Sequence, residues 1–182
     1  MKDWLLVVDV QPAFLDPQSP WFSAMLPDAI GRIDALVAAF GTRALFTRFV
    51  PPDTATGSWE PYYAKWGFAL RSEAAALWQV AAPWTDRPSV ASHRFSKWAE
   101  ARPILGPDAH VTICGVSTDC RVLSTALAAV DDGAHVRIAA DACAAGDLRV
   151  HDQALAILAS RAPQLVITTV DAERRRLAAT MS

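Results

Sequence analysis

The chain has 182 residues, 52% of them apolar, which is enough for one closed core and scarcely for two, so a single domain over 1–182 is expected. Lys and Arg number 17 against 19 Asp and Glu, and this near balance (net charge −2) carries no electrostatic signature for nucleic acid or an anionic membrane. Three cysteines (Cys114, Cys120, Cys143) without paired short spacings argue against a disulfide framework or a zinc site, and no run approaches the ~20 apolar residues of a membrane span.

In chain order, short apolar runs alternate with helical patterns. A strand is predicted over 4–9; its apolar run ends at Asp9 and is too short for a secretion signal, so a reducing, cytoplasmic location is expected. Pro27-Asp28 opens a helix over 28–39, followed by a strand over 44–49. Residues 51–67 read as a long loop carrying Trp59, Tyr62, Tyr63 and Trp66, rings that either line a site or cap the core or an oligomer contact. Then come a helix over 72–78, a strand over 89–92, and a helix over 98–105 closed by Gly106-Pro107. Strands over 110–114, 135–139 and 165–169 alternate with helices over 121–132, 151–159 and 172–180. Such alternation is the mark of an α/β fold with a parallel sheet covered on both faces. Arg174, Arg175 and Arg176 read as a solvated last helical turn.

Ligands of open parallel sheets bind beyond the carboxyl ends of the strands. That directs attention to Asp9 and to the segments 49–66, 92–98 and 115–121. A carboxylate closing a buried apolar strand is costly without a partner, so Asp9 is expected to have one. The histidines His93, His110, His135 and His151 are scattered; His93 alone falls near the expected site, as a proton donor or as a solvent-facing loop residue. His110 and His135 read as structural. Ser117, Thr118 and Asp119 can cap the helix that follows them.

Three segments resemble the isochorismatase-like (cysteine hydrolase) family. The first is Leu5-Leu6-Val7-Val8-Asp9-Val10-Gln11-Pro12-Ala13-Phe14, a strand ending in an acid, then Gln, then Phe. The second is Ser92-His93-Arg94-Phe95-Ser96-Lys97-Trp98. The third, and most specific, is Gly115-Val116-Ser117-Thr118-Asp119-Cys120-Arg121-Val122-Leu123-Ser124-Thr125-Ala126, running on through Gly133 to Asp141. The resemblance covers essentially the whole chain. It implies a three-layer α-β-α sandwich, Rossmann-like, with a six-stranded parallel sheet in the order 3-2-1-4-5-6. It also implies an Asp–Lys–Cys triad, a cis peptide after the Gly-Val pair, an acidic residue at Asp141 that fixes its loop, and a homodimer or homotetramer. No metal is implied, because the loop after the second strand lacks the histidines of the metal-binding relatives, and no cofactor.

Carried over residue by residue, Asp9 matches the family's aspartate. Counting from Ser96 and Trp98, the lysine position falls on Ser92, and Lys97 reads as a surface lysine. Counting from Gly115, the nucleophile position falls on Arg121; Cys120 precedes it and, one residue out of register, is expected to point away, so Cys120 and Lys97 are lesser candidates. A cation in a first helical turn needs an anionic partner, and Arg121 is expected to pair with Asp9 and fill part of the pocket, making Asp9 a poor proton acceptor. Phe14, Trp59, Tyr63, His93, Trp98, Val116 and Ser117 are the expected substrate contacts, and the backbone N–H groups of Ser117 and Arg121 the oxyanion donors. Two functions follow: a hydrolase scaffold for a small amide, N-carbamoyl or vinyl-ether compound with altered activity, or an inactive member that binds a small molecule or serves as a structural subunit.

Overall fold

The computed structural model describes residues 3–106 and 108–180. Six parallel strands form one sheet: β1 (Asp3–Val8), β2 (Ala44–Phe49), β3 (Ser89–Ser92), β4 (His110–Val116), β5 (His135–Ala144) and β6 (Leu165–Thr168). They lie in the order β3-β2-β1-β4-β5-β6, flanked by helices, as the resemblance implies. Position in the sheet explains each strand's composition. β1 sits centrally, and Leu5, Leu6, Val7 and Val8 are wholly buried because helices cover both faces. β3 lies at the edge, and its Ser89 and Ala91 are exposed.

Two short helices, α1 (Pro12–Leu15) and α3 (Trp59–Lys65), accompany five longer ones: α2 (Leu26–Phe40), α4 (Trp98–Leu105), α5 (Leu123–Asp131), α6 (Leu148–Ala159) and α7 (Val170–Thr180). Helix α2 buries Ile33, Leu36, Val37 and Phe40, a stripe at helical spacing, and packs on β1, β4, β5 and α7. Helix α5 sits on β5 between α4 and α6. The Asp147 side chain caps α6 by accepting from the Val150 N–H at 3.0 Å. Asp141 lies within β5, which runs five residues past the expected strand end, and accepts from the Val170 N–H at 2.9 Å, so it ties the strand itself rather than a following loop to the start of α7. The 28–39 and 151–159 helices both begin earlier than expected, at Leu26 and Leu148. The loop expected over 51–67 is not featureless, since α3 lies within it. Residues 72–78 form a 3₁₀ rather than an α-helix. Of the expected Gly106-Pro107 turn, Gly106 closes α4 with φ 90°, and Pro107 lies outside the described residues.

Arg174, Arg175 and Arg176, expected as a solvated last turn, do not lie in the last turn, and only the first two are solvated. They lie mid-helix, and Arg176 turns inward. Its Nη2 and Nε donate to Glu173 Oε2 at 2.8 and 3.0 Å, and its Nη1 reaches Asp3 Oδ2 at 2.9 Å. Glu173 is wholly buried and also accepts from Thr112 Oγ1 at 3.0 Å and Arg137 Nε at 2.5 Å. Burial alone would raise its carboxyl, but the donors from Arg176 and Arg137 outweigh it and hold the group below its ordinary range. This network joins α7 to the sheet near the amino ends of β1, β4 and β5, where the His110 and His135 rings stack at 4.4 Å.

Candidate active site

The strand order reverses between β1 and β4, and the site grows from that junction. At the end of β1 the chain turns sharply: Asp9 has φ 47°. Gln11 fixes that turn. Its amide donates to the Phe49 and Trp78 carbonyls at 2.9 and 2.8 Å, and its oxygen accepts from the Phe49 N–H at 2.8 Å, so the end of β1 is stitched to the end of β2 and to the 72–78 turn. On the β4 side, Gly115 (φ 115°) presses against Val8, and a Cβ there would lie 2.2 Å from the Val8 carbonyl oxygen. The Val116–Ser117 peptide is cis. The pairing of β4 with β5 also shifts between Ile113 and Gly115, an irregularity of the kind that re-aims residues beside sites.

Asp9 is wholly buried. The Thr47 hydroxyl donates to its Oδ1 at 2.5 Å and accepts from its N–H at 3.1 Å. Two cations meet its other oxygen: Lys97 Nζ and Arg121 Nε each lie 3.2 Å from Oδ2. These approaches have ion-pair distance without hydrogen-bond alignment, because Asp9 Oδ2 and Arg121 Nε lack hydrogen-bond partners among the described residues. The Arg121–Asp9 pair is therefore present as expected.

Lys97 overturns its expectation. It is wholly buried rather than at the surface. It precedes α4, and Thr125 Oγ1 accepts its N–H at 3.0 Å, which turns the side chain inward. Nζ then runs back to donate to the Ser92 carbonyl at 2.8 Å. The Ser92 hydroxyl instead accepts from the Arg94 N–H at 3.2 Å and stays within its own loop. An ammonium thus reaches Asp9 from five residues further along, and Ser92 supplies only a carbonyl to it. Burial pulls Lys97 below the ordinary lysine range, with Asp9 acting against that and Arg121 adding to it.

Arg121 lies in a π-helical turn, Thr118–Val122, that runs into α5; the helix expected from 121 starts with this wider turn. No Ser117, Thr118 or Asp119 side chain caps it, contrary to expectation. The Ser117 carbonyl accepts from the Cys120 and Val122 N–H groups, and Thr118 Oγ1 is 2.9 Å from His151 Nδ1. The Arg121 guanidinium stands over the rings of Phe14, Trp21, Phe49 and Phe95, at 4.6 to 5.9 Å from their centroids. It floors a cavity of about 410 Å³.

Of the expected substrate contacts, Phe14, Val116 and Ser117 border this cavity, with Cys120 beside them. Trp59, Tyr63, His93 and Trp98 do not. Trp59 packs against His93 and Phe95 with ring centroids 5.4 and 5.1 Å apart, and Tyr63 is buried behind it. Trp98 is buried, and its Nε1 donates to Asp132 at 2.8 Å, away from the cavity. The walls come instead from Trp21, Tyr62, Trp66 and Phe95, none of them among the expected substrate contacts, although Tyr62 and Trp66 belong to the aromatic segment read as lining a site or capping the core. Helical spacing does not separate these rings, because positions 59, 62, 63 and 66 follow a single stripe of a helix. Thr47, the direct partner of Asp9, carried no signal beyond being a polar residue in an apolar strand.

Cys120, expected to point away from the site, borders the cavity and lies within electrostatic range of Asp9 and Lys97. Burial pushes Cys120 up, the nearby Arg121 only partly offsetting it, so it stays protonated at neutral pH. Cys114 and Cys143, inside the sheet, are raised by burial as well, Cys143 from 9.0 to about 12. Between those values the unfolded chain releases the Cys143 proton and the folded chain keeps it. Cys143 alone is therefore expected to cost about 4 kcal/mol of stability as pH climbs through that window. Tyr62 and Tyr63, raised by burial, act in the same direction, and the lowered Lys97 acts against it. Denaturant unfolding across alkaline pH checks this: Cys143→Ala should flatten the decline, and an unchanged slope would contradict it.

Among the described residues no three His, Cys, Asp or Glu side chains are grouped as metal ligands, and no helix is long and apolar enough to cross a membrane. The isochorismatase domain model matches residues 3–173, and the chain belongs to that family. Its fold is similar to a cysteine hydrolase from Pseudomonas syringae pv. phaseolicola 1448A (19% identity, 98% of this chain and 93% of that one, TM-score 0.83). It is also similar to an isochorismatase family protein from Desulfovibrio vulgaris subsp. vulgaris str. Hildenborough (18%, 97% and 98%, TM-score 0.76). A pyrazinamidase of Pyrococcus horikoshii in complex with zinc shares the fold at 21% identity (93% and 99% covered, TM-score 0.70). Among curated proteins none matches the chain.

Proposed function

We propose that this isochorismatase-like hydrolase scaffold acts on a small amide, N-carbamoyl or vinyl-ether compound through Asp9 and Lys97, with Arg121 in place of a nucleophilic thiol. The observation that carries this reading is the Asp9–Lys97 pair, both partners wholly buried and 3.2 Å apart beside the cavity. Taking a carboxylate and an ammonium out of water costs several kcal/mol per ion, so a pair kept directly behind Arg121, which itself borders the cavity, points to use rather than to stability. Without a thiolate, water is the nucleophile. For an amide, Asp9 takes a proton from the attacking water and returns it to the departing nitrogen; for a vinyl ether, Asp9 in its protonated form gives that proton to the terminal carbon, water adds to the resulting cation and returns a proton to Asp9, and the hemiketal collapses to a carbonyl and an alcohol. Lys97 and Arg121 hold the changing charge, and the Ser117 and Arg121 N–H groups are the proposed oxyanion donors.

Asp9→Asn is expected to lower turnover of a responsive substrate by at least roughly 10²-fold while the circular dichroism spectrum persists. Unaltered turnover in that variant would remove Asp9 from the chemistry. A second reading, binding without turnover, is favoured by Arg121 Nε, which engages the same Asp9 oxygen that would have to move a proton. An inert parent chain across all three compound classes would select it.

A further inference from the structure

The three buried charges do not cancel. One carboxylate, Asp9, faces two cations, Lys97 and Arg121, and the side chains are 0%, 0% and 7% exposed. Lys97 is spent on the Ser92 carbonyl and on Asp9. Arg121 is less fully engaged: among the described residues its buried Nε has no hydrogen-bond partner, its guanidinium meets only the neutral Tyr62 hydroxyl besides, and Asp9 is the only carboxylate in ion-pair contact with it. Other acidic groups nearby do not balance the excess. Asp119 borders the cavity but is exposed, Glu100 acts on Lys97 from α4, and burial keeps the Tyr62 hydroxyl and Cys120 thiol protonated. A buried cation that opens onto a cavity is costly until an anion joins it.

The walls select among anions. The guanidinium lies over four rings, which hold its plane and leave its edge for a partner. Phe14, Trp21, Tyr62, Trp66 and Phe95 form a largely aromatic lining that suits a flat apolar body and offers little to a fully hydrated ion. A planar guanidinium edge matches a planar carboxylate in two parallel hydrogen bonds. From this charge excess, the unpartnered Nε and the aromatic walls, we infer that the cavity binds a small carboxylate carried on a planar apolar body, with Arg121 as the residue that sets this specificity. The inference rests on the site proposed above and does not require turnover.

Benzoate, benzamide and inorganic phosphate, titrated into the full chain by calorimetry and by tryptophan fluorescence (Trp21 and Trp66 border the cavity), test it. Benzoate should bind at least roughly 10-fold more tightly than its neutral isostere benzamide, and phosphate should not saturate the site. Arg121→Gln should erase the preference for benzoate, and Arg121→Lys should keep part of it. Equal or tighter binding of benzamide, tighter binding of phosphate, no saturable binding of benzoate, or a preference that survives Arg121→Gln would each overturn the inference. If Arg121→Gln does not fold, the benzoate-to-benzamide ratio in the parent chain decides alone. A benzoate preference in a chain without turnover sustains this inference and removes the hydrolase reading. Turnover of neutral amides without a carboxylate preference does the reverse.

Discussion

Arg121→Cys is expected to raise hydrolysis of a small neutral amide by roughly 10³-fold over the parent chain, and Arg121→Ala to give no comparable gain. The substitution does two things at once. It removes a cation from Asp9 Oδ2, 3.2 Å away, and leaves the Asp9–Lys97 pair intact. It also sets a thiol on the π-helical turn that now presents the guanidinium, beside a base and a cation, where thiolates become nucleophilic. Counting along the chain asks for two replacements, at Ser92 and Arg121. The coordinates ask for one, because Lys97 already brings the ammonium to Asp9. Adding Lys97→Met to Arg121→Cys should therefore abolish the gain, and adding Ser92→Lys should not increase it. A folded Arg121→Cys chain as inert as Arg121→Ala would show that the 121 position does not present its side chain to a reacting carbon.

Gly115→Ala should cost more than about 4 kcal/mol, or leave no folded protein, because its Cβ would sit 2.2 Å from the Val8 carbonyl oxygen and 2.7 Å from the Val8 nitrogen. The clash is with backbone on the central strand. Val8 and Gly115 are register partners between β1 and β4, so neither can retreat without opening the junction that holds Asp9. The φ of 115° adds strain that any Cβ would feel. Gly133→Ala is the control: φ is also positive, at 88°, but nothing lies within 4 Å of the new Cβ. It should cost only about 1 kcal/mol. For a chain of this size the first change corresponds to a fall in Tm of more than roughly 8 °C, and the second to roughly 2–4 °C. Equal Tm losses in the two variants would mean that β1 and β4 do not meet as closely as described.

The central strand was legible because burial on both faces demands an uninterrupted apolar run, as in Leu5 to Val8, and the half-exposed edge strand from its place in the alternation: 44–49 and 89–92 agree with β2 and β3 residue for residue. The Gly-Val-Ser-Thr-Asp stretch and the Asp-Val-Gln stretch were legible for a related reason. Close backbone approach at Gly115 and a fully engaged buried amide at Gln11 tolerate almost no other side chain. Arg121 beside Asp9 was also foreseeable, since a cation in a first helical turn at a cavity needs an anion.

What the chain order hid were side-chain directions. Lys97 looks like a surface residue by spacing, yet the Thr125 hydroxyl, 28 residues later, turns its backbone and sends the amine back to Ser92 and Asp9. The same holds for the rings: 59, 62, 63 and 66 follow one helical stripe, yet Tyr62 and Trp66 border the cavity while Trp59 packs against His93 and Phe95 and Tyr63 is buried. Sequence alone determined which segments enter the sheet and which acid closes its central strand, because burial and steric limits act locally. Only the tertiary structure decided which cations meet that acid and which rings enclose them, because long side chains choose among several partners and the choice is made by residues far away along the chain.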